Sequence, residues 1–203
     1  MKNNVYSKHK LRTALMATVG VGFLVAPAVA QAVTSTTVSS QISSVLSVFT
    51  SSGTVNINAL PTASGVQTIA NDTVTISTND TAGYTLKVAE TTASSALVSG
   101  GNSIPAITGS LASPVAETAN TWGYRVDGIG GFGAGPTTGA SNAAISGTIK
   151  FAPVPATASP DTIKATATTA SNDTTSVWYG VAVNTNTPSG TYTNSVTYTA
   201  VAN

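Results

Sequence analysis

Few side chains in this sequence are suited to catalysis. The 203 residues include no cysteine and one histidine, His9, which lies near the N-terminus. The rest of the chain therefore lacks the imidazole and thiolate groups used in nucleophilic catalysis, zinc or haem binding and thiol redox chemistry. Acids such as Glu90, Glu117 and Asp127 are far apart in the sequence, and no pattern pairs two of them for acid–base catalysis. We predict that the protein is not an enzyme and uses no cofactor.

The tripeptide Asn-Asp-Thr occurs three times, beginning at Asn71, Asn79 and Asn172. It fits the acceptor pattern for N-linked glycans, and its aspartates offer hard oxygen ligands for calcium. Asn and Asp also favour tight turns, and every copy stands beside a predicted strand end. Because single acids outside a dense acidic run make poor calcium sites, we expect turns here and no metal site.

The stretch 128–133 has the G-x-G-x-x-G spacing of a dinucleotide-binding loop. Such a loop also requires a helix that begins at the glycines and an acid about 20 residues further on. Instead, Gly135, Pro136 and Gly139 follow. We therefore predict a flexible surface loop over 128–139 and no nucleotide site.

Four aromatic residues on two predicted strands are the candidates for ligand contact: Trp122, Tyr124, Trp178 and Tyr179. Exposed aromatic rings can stack on sugars. One parity of each strand must face a core, so we expect at least Tyr124 and Tyr179 to be buried. Trp178 has the opposite parity from Tyr179, which leaves it either exposed or packed beneath a long connection.

The N-terminus has the pattern of a secretory leader. A basic segment over 2–12 precedes an uncharged apolar run over 14–30 and small residues around Ala30. We predict a signal peptide over 1–32 and a single domain over 33–203, secreted or associated with the cell surface. The alternative is that the apolar run is retained as a membrane anchor.

Charge limits the possible partners of the domain. Cleavage would remove four of the eight Lys and Arg residues and none of the seven acids. The four remaining cations are too few and too scattered to neutralise a phosphate backbone or an anionic lipid surface. We expect neither nucleic acid nor, after cleavage, a membrane as a partner.

The C-terminal stretch 175–201 gives the clearest strand signal. Val177, Tyr179 and Val181 share one parity, and a turn-forming segment over 184–190 separates them from a second alternating run that ends near Ala200. We interpret the stretch as a closing hairpin whose strands each bury one face.

The rest of the chain has a similar pattern. We predict a strand over 45–50 with a return strand over 55–59, a second hairpin over 72–88, and a long connection over 89–120. Strands around 121–127, 145–151 and 162–168 bring the total to about eight. The sequence therefore predicts an all-β, antiparallel β-sandwich, Ig-like or jelly-roll-like.

Two segments resemble parts of WxL-type bacterial cell-surface domains. Residues 83–88, followed by 100–106, resemble the first signature segment, and residues 188–200 are similar to the closing hairpin of the family. The two Trp-x-Leu motifs fall at Tyr84 with Leu86 and at Tyr198 with Ala200, so tyrosine replaces both tryptophans and alanine replaces the second leucine. The resemblance implies an exported β-sandwich held noncovalently on the cell wall. A looser similarity is to threonine-rich exported proteins of ultrasmall bacteria that live on other bacteria.

We therefore expect a noncatalytic surface or secreted protein that acts in adhesion or envelope structure. Its partner would be a cell-wall polymer or a surface protein or glycan of another cell. Two alternatives remain open. One is a carbohydrate-binding module that uses Trp122 or Trp178 as a stacking platform. The other is a self-assembling, pilin-like subunit whose N-terminal arm, residues 33–49, adds a strand to a neighbour.

Overall fold

The structure, a computed structural model, describes residues 35–135 and 138–203. The predicted signal peptide lies outside the described residues. The chain divides into two units, Met1–Gln41 and Ile42–Asn203. In the first unit, residues 35–41 are irregular and exposed, and every strand belongs to the second.

The described residues form twelve β-strands and no helix, which confirms the predicted all-β fold. The strands are β1 Leu46–Thr50, β2 Val66–Thr78, β3 Tyr84–Glu90, β4 Leu97–Ser99, β5 Asn102–Ile104, β6 Val115–Ala116, β7 Thr121–Val126, β8 Ala140–Ala143, β9 Lys150–Phe151, β10 Asp161–Ala165, β11 Ala170–Val183 and β12 Val196–Ala202. No helix within the described ranges is long and apolar enough to cross a membrane.

The strands build two main antiparallel sheets. The large sheet has the order β1-β2-β11-β7, with β8 also pairing with β2. The small sheet has the order β10-β3-β12. Apolar side chains from both sheets form one buried cluster between them, as expected of a sandwich. The extra strands beyond the predicted eight are mostly short pairs within the connections, β4 with β5 and β6 with β9.

Neither the closing hairpin nor the second hairpin exists. β11 pairs with β2 and β7 in the large sheet, whereas β12 pairs with β3 in the small sheet. β2 and β3 are likewise separated, and the turns between these strands carry the chain across the core. Turn-forming residues reverse the chain in both cases: when the flanking strands pair within one sheet and when they lie in opposite sheets. The turn residues therefore did not distinguish a hairpin from a crossing between the sheets. The return strand predicted over 55–59 is also absent, and β1 pairs with β2 instead.

The end of β11 is buried on both faces, not on one as predicted. Val177, Tyr179 and Val181 point into the core between the sheets. Trp178 and Ala182, on the opposite face, are buried as well. Trp178 packs in a second cluster whose members come partly from the connections: Ile69, Ile107 and Phe151. Segments on either side of β7 therefore fold over the outer face of the large sheet.

A pair of glycines makes room for this cover. Gly180 on β11 is the register partner of Gly123 on β7. A Cβ atom on Gly180 would lie 2.6 Å from the Phe151 ring, and one on Gly123 would lie 2.8 Å from Ile107 and 3.0 Å from Phe151. The missing side chains let the buried Phe151 pack directly against the backbone of the sheet.

The glycine-rich stretch 128–133 lies at the surface, as predicted, but a buried cation holds part of it against the sheet. Phe132 is buried, with its ring edge-on to Tyr124 at a centroid distance of 5.6 Å. The Arg125 guanidinium is also buried, pairs with Asp127 at 3.0 Å, and donates hydrogen bonds to the carbonyl oxygens of Phe132 and Gly133. A buried charge requires such acceptors, which explains why the loop folds back on the sheet.

Candidate functional site

The four candidate aromatic residues do not form one site. Tyr124 lies in the core, and Trp178, only 5% exposed, packs beneath the connections. This is the second of the two positions predicted for Trp178, and its burial makes the prediction of a Trp178 stacking platform wrong. Trp122 and Tyr179 are also buried, but both line a cleft.

The cleft has a volume of about 750 Å³. Its lining combines the inner faces of β7 and β11 with Val196 and Tyr198 of β12 and two irregular segments, 52–59 and 187–195. The apolar part includes Trp122, Val181 and Ile104. This volume lies in the range of small-molecule binding sites, and apolar walls with a few polar groups are usual there.

Two tyrosines join the sheets inside the cleft. The hydroxyl groups of Tyr179 on β11 and Tyr198 on β12 share a hydrogen bond of 2.7 Å. Burial is the main cause that raises the pKa of both phenols above the ordinary value. Both therefore stay neutral at physiological pH, where they can donate and accept hydrogen bonds but do not act as bases.

Asp72 is a further polar group in the lining, and it is already engaged within the domain. Its buried carboxylate accepts hydrogen bonds from the Ser51 hydroxyl at 2.8 Å and from the Ser52 backbone N–H at 3.2 Å. Its negative charge further raises the pKa of Tyr179 and Tyr198. The Trp122 indole N–H is likewise satisfied, because it donates to the Ser95 carbonyl oxygen at 2.8 Å.

The residues that carry the WxL resemblance lie on adjacent strands of the small sheet. Leu86 on β3 is the register partner of Ala200 on β12, and Tyr84 pairs with Ala202. Tyr84 and Leu86 are fully buried, whereas Tyr198 and Ala200 are half-buried. Tyr198 is therefore the only one of the four motif residues that lines the cleft.

A second polar group joins the sheets away from the cleft lining. The Tyr84 hydroxyl donates to Asp173 on β11 at 2.7 Å, and Lys164 on β10 forms an ion pair with the same carboxylate. Burial alone would raise the pKa of Asp173, but the hydrogen bonds of Lys164 and Tyr84 and the lysine charge outweigh it and lower the pKa. In the described ranges, no group of three or more His, Cys, Asp or Glu residues is placed to hold a metal ion.

Glu117 is a buried acid on the outer face of the large sheet. Its Oε2 accepts a hydrogen bond from the Gln67 side chain at 2.5 Å, and its Oε1 has no hydrogen-bond partner. Burial raises the pKa of Glu117 to about 8, against the smaller lowering effect of the Gln67 hydrogen bond. The carboxyl group is therefore mostly protonated at neutral pH. A Cβ atom on Gly180 would lie 2.7 Å from Oε1, so Glu117 packs over the glycine pair and not in the cleft.

Sequence reasoning found Trp122, Tyr179 and Tyr198 but missed the rest of the cleft. Residues 55–59 were interpreted as a return strand, and Asp72 as a turn residue, whereas all of them line the cleft. Asp72 lies inside β2 and Asn172 inside β11, so the turns predicted at these two Asn-Asp-Thr copies are wrong. Comparison with protein-family models, curated protein sequences and solved structures finds no match for this chain. The WxL resemblance stays a prediction.

Proposed function

We propose that this chain is an exported, noncatalytic protein of the cell surface that acts in adhesion or envelope structure. The observation that carries the proposal is the cleft between the sheets. Its lining offers apolar rings and neutral hydroxyl groups, which suit binding better than proton transfer. The predicted leader and the resemblance to WxL-type domains support export and surface attachment. The expected partner is a cell-wall polymer or a surface protein or glycan of another cell.

Carbohydrate binding is a second candidate, and one observation favours it. Trp122 and Tyr179, two of the predicted sugar-contact residues, line the same cleft as the polar residues Asn56 and Asn58. Aromatic rings beside hydrogen-bonding groups are the combination that recognises sugar rings. In this version of the proposal the binding surface is the cleft, in place of the buried Trp178.

Cell fractionation tests the proposal. We expect the protein in the wall fraction or the medium, with a mature N-terminus at Gln31 or Val33. Intact precursor in washed membranes would contradict the predicted cleavage. A variant with Asn56→Trp, which adds bulk at a residue of the cleft lining, should be lost from the wall fraction into the medium. Thr168→Trp, at an exposed position outside the cleft lining, is the matched control and should be retained like the wild type.

A further inference from the structure

We propose that copies of this chain assemble head to tail. In this assembly an N-terminal arm, residues 35–42, of one copy pairs with the free edge of β12 in the next copy. The side chains of Val38 and Ile42 enter the cleft of that copy. The inference rests on the proposed function and names the partner of the cleft as a second copy of the chain.

The two edges of the small sheet differ in protection. β10 contains Asp161 and Lys164, and its pairing with β3 is interrupted by a bulge between Thr162 and Lys164. Charges and bulges are devices that prevent edge-to-edge pairing. β12 has the sequence VTYTAVA, without charge, Pro or Gly. In the described part of the chain no strand pairs with its outer edge, although β1 of the large sheet lies close to β12. An added strand would use the unpaired backbone groups of this edge.

The arm has the composition of a strand but is not paired as one. Its sequence, STTVSSQI, contains four β-branched residues and no charge, Pro or Gly. Val38 is 90% exposed and Ile42 is 82% exposed, the two highest values among the large apolar residues described. They share one parity, so in an extended strand both point to the same face, about 13 Å apart.

The cleft offers these two side chains an apolar environment beside the free edge. Val196 and Tyr198 of β12 line it together with Val181 and Val183 of β11. A strand added to β12 turns one parity toward the space between the sheets and the other toward solvent. Val38 and Ile42 would then lie in the cleft, while Thr37 and Gln41 would remain in water.

The arm joins the second unit at one end, and much of the cleft lies toward the other. β12 runs between them, because Val196 lines the cleft and Ala202 pairs with Tyr84 directly after the turn that follows β2. The chain enters that unit beside the turn after β2, where the Asn79 side chain accepts from Val45 N–H at 2.7 Å and donates to the Ser43 carbonyl at 3.0 Å. The cleft lies toward Val183, which pairs with Val66 at the other end of β2. Asp72, in the middle of β2, also lines the cleft, so six residues of strand, about 20 Å at roughly 3.3 Å per residue, separate the nearest part of the lining from the end of β2 at Thr78. Such a head-to-tail contact leaves an arm and a cleft free at the two ends and therefore grows into open chains.

Two variants of the exported protein with the same added charge test the assembly. Val38→Asp with Ile42→Asp puts carboxylates on the face that would enter the cleft. Thr37→Asp with Gln41→Asp puts them on the opposite face. We expect wild type and the second variant to sediment as growing species as concentration rises and to form open chains in electron micrographs. The first should need at least about a hundredfold higher concentration to assemble. Melting temperatures verify that each variant is folded.

A synthetic peptide of residues 33–45 provides a second measurement. We expect it to bind the Val38→Asp/Ile42→Asp protein, whose cleft is free, and to shorten wild-type chains. Asn56→Trp in the receiving copy should weaken peptide binding, and Thr168→Trp should not.

A wild type that stays monomeric, or equal assembly of the two charge variants, would overturn the proposal. Retention of a monomer in the cell wall would overturn assembly alone and leave the surface role standing. Glycan binding in the cleft without peptide binding would assign the site to carbohydrate.

Discussion

β11 and β12 follow one another in the chain and have similar alternating sequences, yet they lie in opposite sheets with different surroundings. From Val177 to Val183 every residue of β11 is buried. β12 alternates between half-buried and exposed residues along its whole length. The difference does not come from the strands themselves. It comes from the connections around β7, which cover the outer face of the large sheet and leave the outer face of the small sheet in solvent.

The contrast separates a structural region from an accessible one. The large sheet has a core on each side and contributes Tyr179 and Val181 to the cleft as fixed elements. The small sheet exposes one face, and its edge strand β12 carries no charge, so this is the region where we propose that a partner binds. The predictions below test this contrast, beginning with the largest expected effect.

Charges on both faces of β11 should prevent folding. Val181 lies in the core between the sheets, and Ala182 lies on the opposite, equally buried face. An aspartate at either position would bury an unpaired carboxylate, costing about 4 kcal/mol or more against a total stability of roughly 5–15 kcal/mol. We expect Val181→Asp and Ala182→Asp to give no cooperative thermal transition. If Ala182→Asp alone were tolerated, the outer face would be open to water.

The buried acid under the same cover should make stability depend on pH. The pKa of Glu117 rises from 4.5 to about 8 on folding because of burial. The folded chain therefore holds this proton more tightly than the unfolded chain. The contribution of this proton to the free energy of unfolding is complete below about pH 4.5 and is lost as the pH rises to about 8.

Glu117→Gln keeps a hydrogen-bonding side chain without this titration. The difference in unfolding free energy between variant and wild type should grow by a few kcal/mol from about pH 5 to about pH 9, measured by urea denaturation. Burial also raises the pKa of Glu90. Glu90 is present in both proteins, so its effect on the unfolding free energy cancels in the difference between variant and wild type. A constant difference across this range would show that water reaches Glu117.

The fold class could be predicted because apolar and polar residues alternate along each strand, and the apolar positions indicate the face that packs against a core. The parity of Val177, Tyr179 and Val181 correctly identified the inner face of β11. Strand pairing could not be predicted in the same way. The turn between β2 and β3 and the segment between β11 and β12 contain ordinary turn residues, and these residues do not specify whether the next strand pairs or crosses to the other sheet.

Burial of the outer face depends on contacts distant in sequence. Ile107 reaches Trp178 from the long connection, and Phe151 reaches it from β9, a strand of two residues. Neither segment has a pattern that indicates which sheet face it covers. The cleft shows the same limit: its aromatic residues were recognised as candidates because aromatic rings are conspicuous in the sequence. The irregular segment 52–59 was missed, because the sequence predicted a return strand over 55–59 and the structure has none there.

The glycine pair gives a more moderate test of the covered face. Gly180→Ala would place a methyl group 2.6 Å from the Phe151 ring, and the ring must move to accept it. We expect a loss of roughly 1–3 kcal/mol, partly offset by the lower chain entropy of alanine in the unfolded state. Gly147→Ala is the matched control, because no atom lies within 4 Å of its added methyl group. Equal melting temperatures for the two variants would mean that the outer face is loosely packed.

The smallest expected effect concerns β12, where the two faces should differ. Val196 is half-buried beside the cleft, and Thr197 is exposed. Val196→Asp should cost about 1–3 kcal/mol, since the carboxylate can partly reach water, whereas Thr197→Asp should stay within about 0.5 kcal/mol of wild type.

Both substitutions are best measured by thermal unfolding in the Val38→Asp/Ile42→Asp background, where the proposed assembly cannot stabilise β12. We expect the stability losses at neighbouring positions to differ clearly on β12 and to be similar on β11. This is the result expected if β12 is buried on one face and β11 on both. Equal and large effects at both β12 positions would mean that its outer face is covered in solution. In that case the small sheet would not provide the accessible surface on which the proposed assembly depends.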